Sequence, residues 1–302
     1  MIALLAPGQG SQTEGMLSPW LELPGAADQL ALWSKASGLD LVRLGTTAST
    51  EEITDTAVTQ PLVVANTLLA HQELTRRGLL AGADVVVAGH SVGEIAAYAI
   101  AGVLAADDAV ALAATRGAEM AKACALEPTG MSAVLGGDEA EVLSRLEELE
   151  LFPANRNAPG QIVAAGPLSS LEKLAEDPPA KARVRALGVA GAFHTKYMAP
   201  ALDGYAAAAA AVVTAEPTAT LLSNRDGKPV ASAAAAMETL VAQLTQPVRW
   251  DLCTETLRER NVTAIVEFPP AGTLTGIAKR ELRGVTARAV KSPADLDELA
   301  NL

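Results

Sequence analysis

Short apolar runs recur along the chain, each followed by a longer stretch in which apolar residues return at helical spacing. Strands are predicted at Ile2 to Ala6, Val85 to Ala88, Leu221 to Ser223 and Ala264 to Phe268. Near-continuous apolar strands separated by helices are the pattern of a parallel sheet covered on both faces. A helix is predicted from Pro61, a residue suited to the first helical position, to Arg77, with Gly78 as its stop. Another is predicted from Asp107 to Ala123, and the alanine run from Ala206 to Ala211 is expected to be helical. Between Pro128 and Val189 the pattern changes. Strand Met131 to Leu135, helix Asp138 to Leu149, strand Leu151 to Asn155, strand Ile162 to Ala165, helix Leu168 to Glu176 and strand Ala182 to Leu187 follow one another. That β-α-β-β-α-β order reads as a ferredoxin-like α+β module. The expected architecture is therefore a large α/β domain, residues 1–127 and 190–302, interrupted by a small subdomain at 128–189. A cleft between the two is the natural place for a ligand.

Composition sharpens this picture. Half of the 302 residues are hydrophobic, ample for a buried core, yet only 3% are aromatic. Alanine, valine and leucine must fill the interior, which suits closely packed helices on a sheet. With 35 acidic and 23 basic residues the net charge is -12, which argues against general binding to nucleic acid or to an anionic membrane. Two local basic clusters remain, Lys181, Arg183 and Arg185 in one and Lys279, Arg280 and Arg283 in the other; either could meet an acidic partner or simply be solvated. No run approaches the ~18 to 20 apolar residues of a membrane span. The opening Met1-Ile2-Ala3-Leu4-Leu5-Ala6 lacks a basic segment before its apolar stretch, so a first strand of a cytoplasmic protein is expected rather than a leader. Cys124 and Cys253 have no metal-ligand spacing and are expected to be reduced, buried thiols.

The chemistry concentrates in Val85 to Tyr98. An apolar strand runs into Gly89-His90-Ser91-Val92-Gly93 and then into a helical pattern, the strand-turn-helix context of a G-x-S-x-G nucleophile elbow. Such a turn would expose Ser91 Oγ, its glycines would remove Cβ clashes, and the helix N-terminus would favour developing negative charge. The core is thus expected to be α/β-hydrolase-like.

A serine hydroxyl needs a base, and the chain offers only His71, His90 and His194. His71 falls on a helix and reads as a packing residue. His90 adjoins the nucleophile, and its side chain is expected to face away, as neighbours at a strand end do. His194 lies in a strand-to-helix loop beyond the small module and is the favoured base. Spacing alone does not decide between them, because Ser and His meet in space. Asp107, Asp108 and several glutamates are all open as a group to orient the histidine. An acyl ester forms through an oxyanion, so two donors must converge on it. Val92 N–H is one by elbow geometry, and the loop Pro7-Gly8-Gln9-Gly10-Ser11-Gln12 could supply the other. That loop has neither G-x-G-x-x-G nor a Walker lysine, which speaks against a nucleotide site.

Five blocks taken together resemble one family: Gly8-Gln9-Gly10-Ser11-Gln12, Gly89-His90-Ser91-Val92-Gly93-Glu94, Arg116 in Ala114-Thr115-Arg116-Gly117, Gly191-Ala192-Phe193-His194, and Gln243 to Trp250. The chain resembles the malonyl-CoA:acyl carrier protein transacylases of fatty-acid synthesis, most of all the mycobacterial members, over essentially its whole length. The same blocks occur in polyketide synthase acyltransferase domains, but this chain is expected to be free-standing. The resemblance implies malonyl-CoA and acyl carrier protein as partners, no metal or redox cofactor, and supply of malonyl units for fatty acids, mycolic-acid precursors among them. It implies Ser91 as nucleophile, His194 as base, and the main-chain carbonyl of Gln243, in place of a carboxylate, as the group orienting that base. It also implies an oxyanion hole from the N–H groups of Gln9 and Val92, and a cleft lined by Asn155 and Asn157. Arg116 would pair with the free carboxylate of a malonyl group, a partner no acetyl or long acyl chain offers. Phe193 would crowd a methyl branch. Glu267-Phe268-Pro269-Pro270-Ala271-Gly272 departs from the family's usual Gly-Pro-Gly turn, which alters a loop and none of the residues of the chemistry. A thioesterase-like serine hydrolase and a non-catalytic carrier-binding scaffold are the rival readings.

Overall fold

The computed structural model describes all 302 residues except the side chain of Asn301. Ten strands follow in chain order: β1 Ile2–Ala6, β2 Val85–Gly89, β3 Thr129–Gly136, β4 Phe152–Ala158, β5 Gln161–Pro167, β6 Ala182–Ala186, β7 Thr220–Leu221, β8 Val248–Arg249, β9 Ala264–Glu267 and β10 Thr286–Ala289. They form two five-stranded sheets, β10-β9-β1-β2-β7 and β6-β3-β5-β4-β8.

The first sheet is parallel throughout. Every residue of its central β1 is buried: Ile2, Leu4 and Ala6 join one hydrophobic core, and Ala3 and Leu5 join the core on the opposite face. Period-two side chains thus serve two cores at once, which is why the run is apolar without alternation. The larger core is built from helices such as Thr56–Arg76 and Ala106–Cys124. Trp20, Trp33 and Trp250, three fully buried tryptophans, supply much of the bulk that the alanine-rich helices lack.

The second sheet is antiparallel except where β8 runs parallel to β4. Its first four strands lie in the order β6-β3-β5-β4, the arrangement of a β-α-β-β-α-β ferredoxin-like unit, with helices Glu139–Glu148 and Leu168–Glu176 between them. Asp138 caps the first of these helices, its carboxylate accepting the Ala140 and Glu141 N–H groups. The fifth strand, Val248–Arg249, comes from the later part of the chain, so the sheet is not made by residues 128–189 alone.

Two local expectations change. The long helix begins at Thr56 under an Asp55 cap, which places Pro61 inside it rather than at its start. Pro61 has no N–H to offer the Ala57 carbonyl, a local cost that packing of the flanking residues offsets: Gln60 to Ala70 are all buried. The Glu267 to Gly272 loop is organised by Glu267 itself. Its buried carboxylate accepts the N–H groups of Gly272, Leu274 and Thr275 and so caps helix Thr273–Glu281.

Candidate active site

Polar residues gather at the carboxyl ends of β1 and β2, where an open parallel sheet places its ligands. Between β2 and helix Gly93–Ile100, Ser91 takes a left-handed φ of 54°. A non-glycine residue held there costs about 1–3 kcal/mol and persists only where its surroundings enforce it. Here close packing does so. A Cβ on Gly89 would lie 2.0 Å from the Gly93 carbonyl oxygen, and one on Gly93 would lie 2.3 Å from that of Ala6. The Ser91 N–H donates to Asn224 Oδ1 at 2.8 Å, and Asn224 Nδ2 donates to the Gly89 carbonyl at 2.7 Å.

Ser91 Oγ lies 2.7 Å from His194 Nε2. His194 is also left-handed, at φ 60°, and is 4% exposed. Its Nδ1 is 2.8 Å from the main-chain carbonyl oxygen of Gln243. A carbonyl can only accept, so Nδ1 carries the proton and Nε2 turns a lone pair toward the hydroxyl. Burial, with the nearby charge of Arg116, pushes the imidazole down to about 3 and keeps it neutral. Asp107, one of the acids left open by the sequence, instead accepts the Trp33 indole N–H at 2.7 Å. Among the described residues no carboxylate bonds to His194.

A small cavity of about 80 Å³ opens over this pair. Gln9, Val92, Arg116, Phe193 and Asn155 line it with Ser91 and His194, and Met131 and Val163 of the second sheet close the far side. The N–H groups of Gln9 and Val92 donate to no acceptor among the described residues. Arg116, 1% exposed on helix Ala106–Cys124, donates from Nη1 to Gln60 Oε1 and from Nη2 to Gln243 Oε1, each at 2.8 Å. Its Nε has no partner, and the guanidinium forms no ion pair among the described residues. A buried cation held only by neutral amides is short of a counter-charge.

One residue reaches the cavity unexpectedly, and one candidate stops short of it. His90 faces the other side of the strand from Ser91, as expected, yet still borders the cavity, with Nε2 2.9 Å from Asn157 Oδ1 and an edge-on contact to Trp250. Strand alternation holds as far as His90, whose neighbour Trp250 belongs to the core that Val86 and Ala88 also enter, and the cavity borders that residue as well as Ser91. Asn157 is consequently one layer back, holding His90 rather than lining the cavity, whereas Asn155 lines it with an unpartnered Oδ1. His71 packs edge-on against Phe268, away from the site. The sequence reading passed over Gln60, Asn224 and Glu94. Glu94, 1% exposed, accepts the Asn224 N–H and, at 2.5 Å, the Gln243 side-chain amide. No spacing rule ties these residues together; only the adjacency of Glu94 to the elbow was visible.

The chain matches the acyl transferase domain family over residues 4–295. It is 87% identical over 302 residues to the malonyl CoA-acyl carrier protein transacylase of Mycobacterium tuberculosis, covering 100% of both chains. The crystal structure of that organism's MCAT superposes with a TM-score of 0.99 at 87% identity, again over 100% of both chains. A malonyl-transacylase solved in complex with its holo type II PKS acyl-carrier protein superposes with a TM-score of 0.93 at 31% identity, over 99% of each chain. With the elbow, the serine–histidine pair and the buried arginine in place, this full-length likeness assigns the chain: it belongs to the malonyl CoA-acyl carrier protein transacylases.

Proposed function

We propose that the protein moves a malonyl group from malonyl-CoA to the phosphopantetheine thiol of an acyl carrier protein by way of a malonyl ester on Ser91. Ser91 Oγ attacks the thioester carbon as His194 Nε2 takes the hydroxyl proton. The oxyanion is received by the N–H groups of Gln9 and Val92, and the departing CoA thiolate takes the proton from His194. The carrier's thiol then enters, gives its proton to the same imidazole and attacks the ester carbon; the malonyl group passes to sulfur as Ser91 Oγ leaves and takes that proton back from His194. These steps call on no metal or redox cofactor.

Arg116 carries this reading. A buried guanidinium on the serine's cavity, with its Nε unpaired and hydrogen bonds to amides alone, is the complement of a carboxylate and a poor neighbour for an uncharged acyl group. Phe193 on the cavity wall would limit a branch at the malonyl carbon. The 87% identity to a malonyl CoA-acyl carrier protein transacylase supports the malonyl transfer, and we propose that it supplies fatty-acid synthesis in the cytoplasm, mycolic-acid precursors among its products.

The test is intact mass after brief exposure to malonyl-CoA or acetyl-CoA, and again after holo acyl carrier protein is added. A malonyl adduct that is discharged onto the carrier, and is absent from Ser91→Ala, is expected. An adduct lost to water without a carrier assigns a thioesterase, and no adduct from either thioester assigns a scaffold.

A further inference from the structure

The transfer steps use Ser91, His194 and Arg116, yet all three are anchored in one buried polar group behind them. Both oxygens of Glu94 point away from their own helix: Oε1 accepts the Asn224 N–H, and Oε2 accepts Gln243 Nε2 at 2.5 Å. Asn224 in turn holds the elbow on both sides, at the Ser91 N–H and the Gly89 carbonyl. Gln243 gives its main-chain carbonyl to His194 and its side-chain oxygen to Arg116. The orientation of that amide follows from the acid. A carboxylate only accepts, so the NH₂ end of Gln243 must face Glu94 and its oxygen must face the guanidinium. Gln243 Nε2 also donates to the Ser91 carbonyl at 3.2 Å and to Asn224 Oδ1 at 3.3 Å, but the carboxylate is the shortest and the only charged of its three acceptors, so its loss weakens the hold on the amide that presents an oxygen to Arg116.

We propose that Glu94 is a positioning residue for the transfer, fixing Arg116 against the substrate acid through Gln243 and holding Ser91 in its elbow through Asn224. This rests on the assignment of Arg116 to the malonyl carboxylate. Only the ionised acid offers two free acceptors. Burial pushes the Glu94 carboxyl up to about 8, opposed by the Asn224 N–H and by Arg116. The other titratable groups around it are Tyr98, Tyr205, Cys253 and Asp226; burial pushes the first three upward, so they stay neutral over this range. His194, down at about 3, does not titrate there either.

Glu94→Gln is nearly isosteric but brings an NH₂ to a place where two donors already point. Ser91 loading from malonyl-CoA is expected to fall roughly 30-fold, equivalent to about 2 kcal/mol at 1.36 per decade, and the malonyl-over-acetyl preference to narrow by a similar factor. In the parent protein that preference is expected to rise with pH through about 8, and in the variant to be flat. Gln243→Met keeps the carbonyl that holds His194 and removes only the amide. It is expected to narrow the preference equally, and the double variant no further, because the two act in series. Gln243→Met also carries the test should Glu94→Gln fail to fold. A folded Glu94→Gln with the parent's rate, preference and pH profile overturns the inference, as does an additive narrowing of the preference in the double variant. A parent protein that loads no malonyl overturns the reading of the site instead, since that outcome precedes any variant.

Discussion

The two sheets meet at one cavity, but they are held in different ways. The parallel sheet is buried on both faces, and its carboxyl end is packed backbone on backbone at Gly89, Gly93 and Ala6. The small sheet ends in an open edge, β6, where Arg183, Arg185 and Ala186 are exposed. The reacting atoms all belong to the first environment or to loops tied to it, whereas the small sheet gives the cavity a wall of Met131, Asn155 and Val163. Rigid packing thus fixes geometry to fractions of an ångström where chemistry needs it. The looser sheet is left to shape and charge the approach.

Substitutions at the rigid end should have the largest effects. Ser91→Ala is expected to lower transfer by about 10⁶-fold and His194→Ala by about 10³-fold or more, both read as initial rates of malonyl transfer to the carrier. Neither should alter the small sheet's stability; a variant that loses rate only by unfolding would break the comparison.

A pair of glycines isolates packing from chemistry. Gly89→Ala places a methyl 2.0 Å from the Gly93 carbonyl, and no side-chain movement relieves a clash with backbone. A loss of about 3 kcal/mol or more is expected in urea denaturation, together with loss of Ser91 loading. Gly130→Ala, on β3, crowds the end of Leu168 at 2.9 Å, a side chain that is 47% exposed and free to turn, and otherwise meets Leu171 Cδ1 at an ordinary contact distance of 3.5 Å. It is expected to cost about 1 kcal/mol or less and to leave loading intact. Equal losses would mean that the two sheets are packed alike.

Arg116→Lys probes the meeting of the two environments. It keeps the charge and loses the planar fork, so malonyl loading should drop on the order of 100-fold while acetyl loading holds or rises. Competition between the two thioesters, read by intact mass, measures the ratio directly. An unchanged ratio would remove the guanidinium from selectivity.

How legible these environments were in the sequence differs as much as their packing. β1 and β2, the elbow and the β-α-β-β-α-β order could be read because each is local: an apolar run, a glycine spacing, a strand following a helix. The serine–histidine pair came from elimination among three histidines plus resemblance, and the arginine's meaning from resemblance alone. Gln243 was named by resemblance for its main-chain carbonyl, but its side chain, like Glu94, Asn224 and Gln60, is ordinary by itself, and the hydrogen bonds among these residues exist only once the sheet has folded. That His90 borders the cavity escaped for a related reason, since alternation gives the side a residue faces and not what the folded chain brings there. Pro61 misled because tertiary packing outweighed the local rule about helix starts.

Acid should weaken the rigid end first. Burial pushes His71 down to about 4, His194 to about 3 and His90 downward as well, so all three stay neutral in the folded chain. The unfolded chain binds protons at these residues below about 6.5, so their contribution is complete above that pH and is lost as pH falls toward 4 and 3. Glu94 acts oppositely: its contribution is complete below 4.5 and is lost as pH rises through about 8. Thermal unfolding should therefore show a decline as pH falls from about 6.5 toward 3, and a separate loss spread over the rise from 4.5 to about 8 that levels off above it, the latter absent in Glu94→Gln. No histidine lies in β3 to β6, so amide exchange in those strands should change less between pH 7 and 5 than exchange in β1 and β2.

The smallest expected effect lies on the open edge. Arg183 and Arg185 sit two residues apart on β6, on one face, exposed and without an ion pair among the described residues. The chain then runs directly to Leu187 and Val189 on the cavity wall. In the rival cluster Arg280 donates to Gln161 at 2.6 Å, whereas β6 keeps both of its arginines unpaired among the described residues and leads straight to the cavity wall. An acidic carrier steered along this edge would deliver its thiol toward Ser91, although the enzyme is itself acidic overall. Reversing both charges, Arg183→Glu with Arg185→Glu, should raise the KM for the carrier about tenfold or less, since exposed pairs are worth ~1 kcal/mol at most. The effect should shrink at high salt, and loading from malonyl-CoA should not change, because CoA reaches the serine without the carrier's surface. A KM that stays put at low salt would mark β6 as solvated charge, and the carrier would then have to be guided by the parallel-sheet side as well.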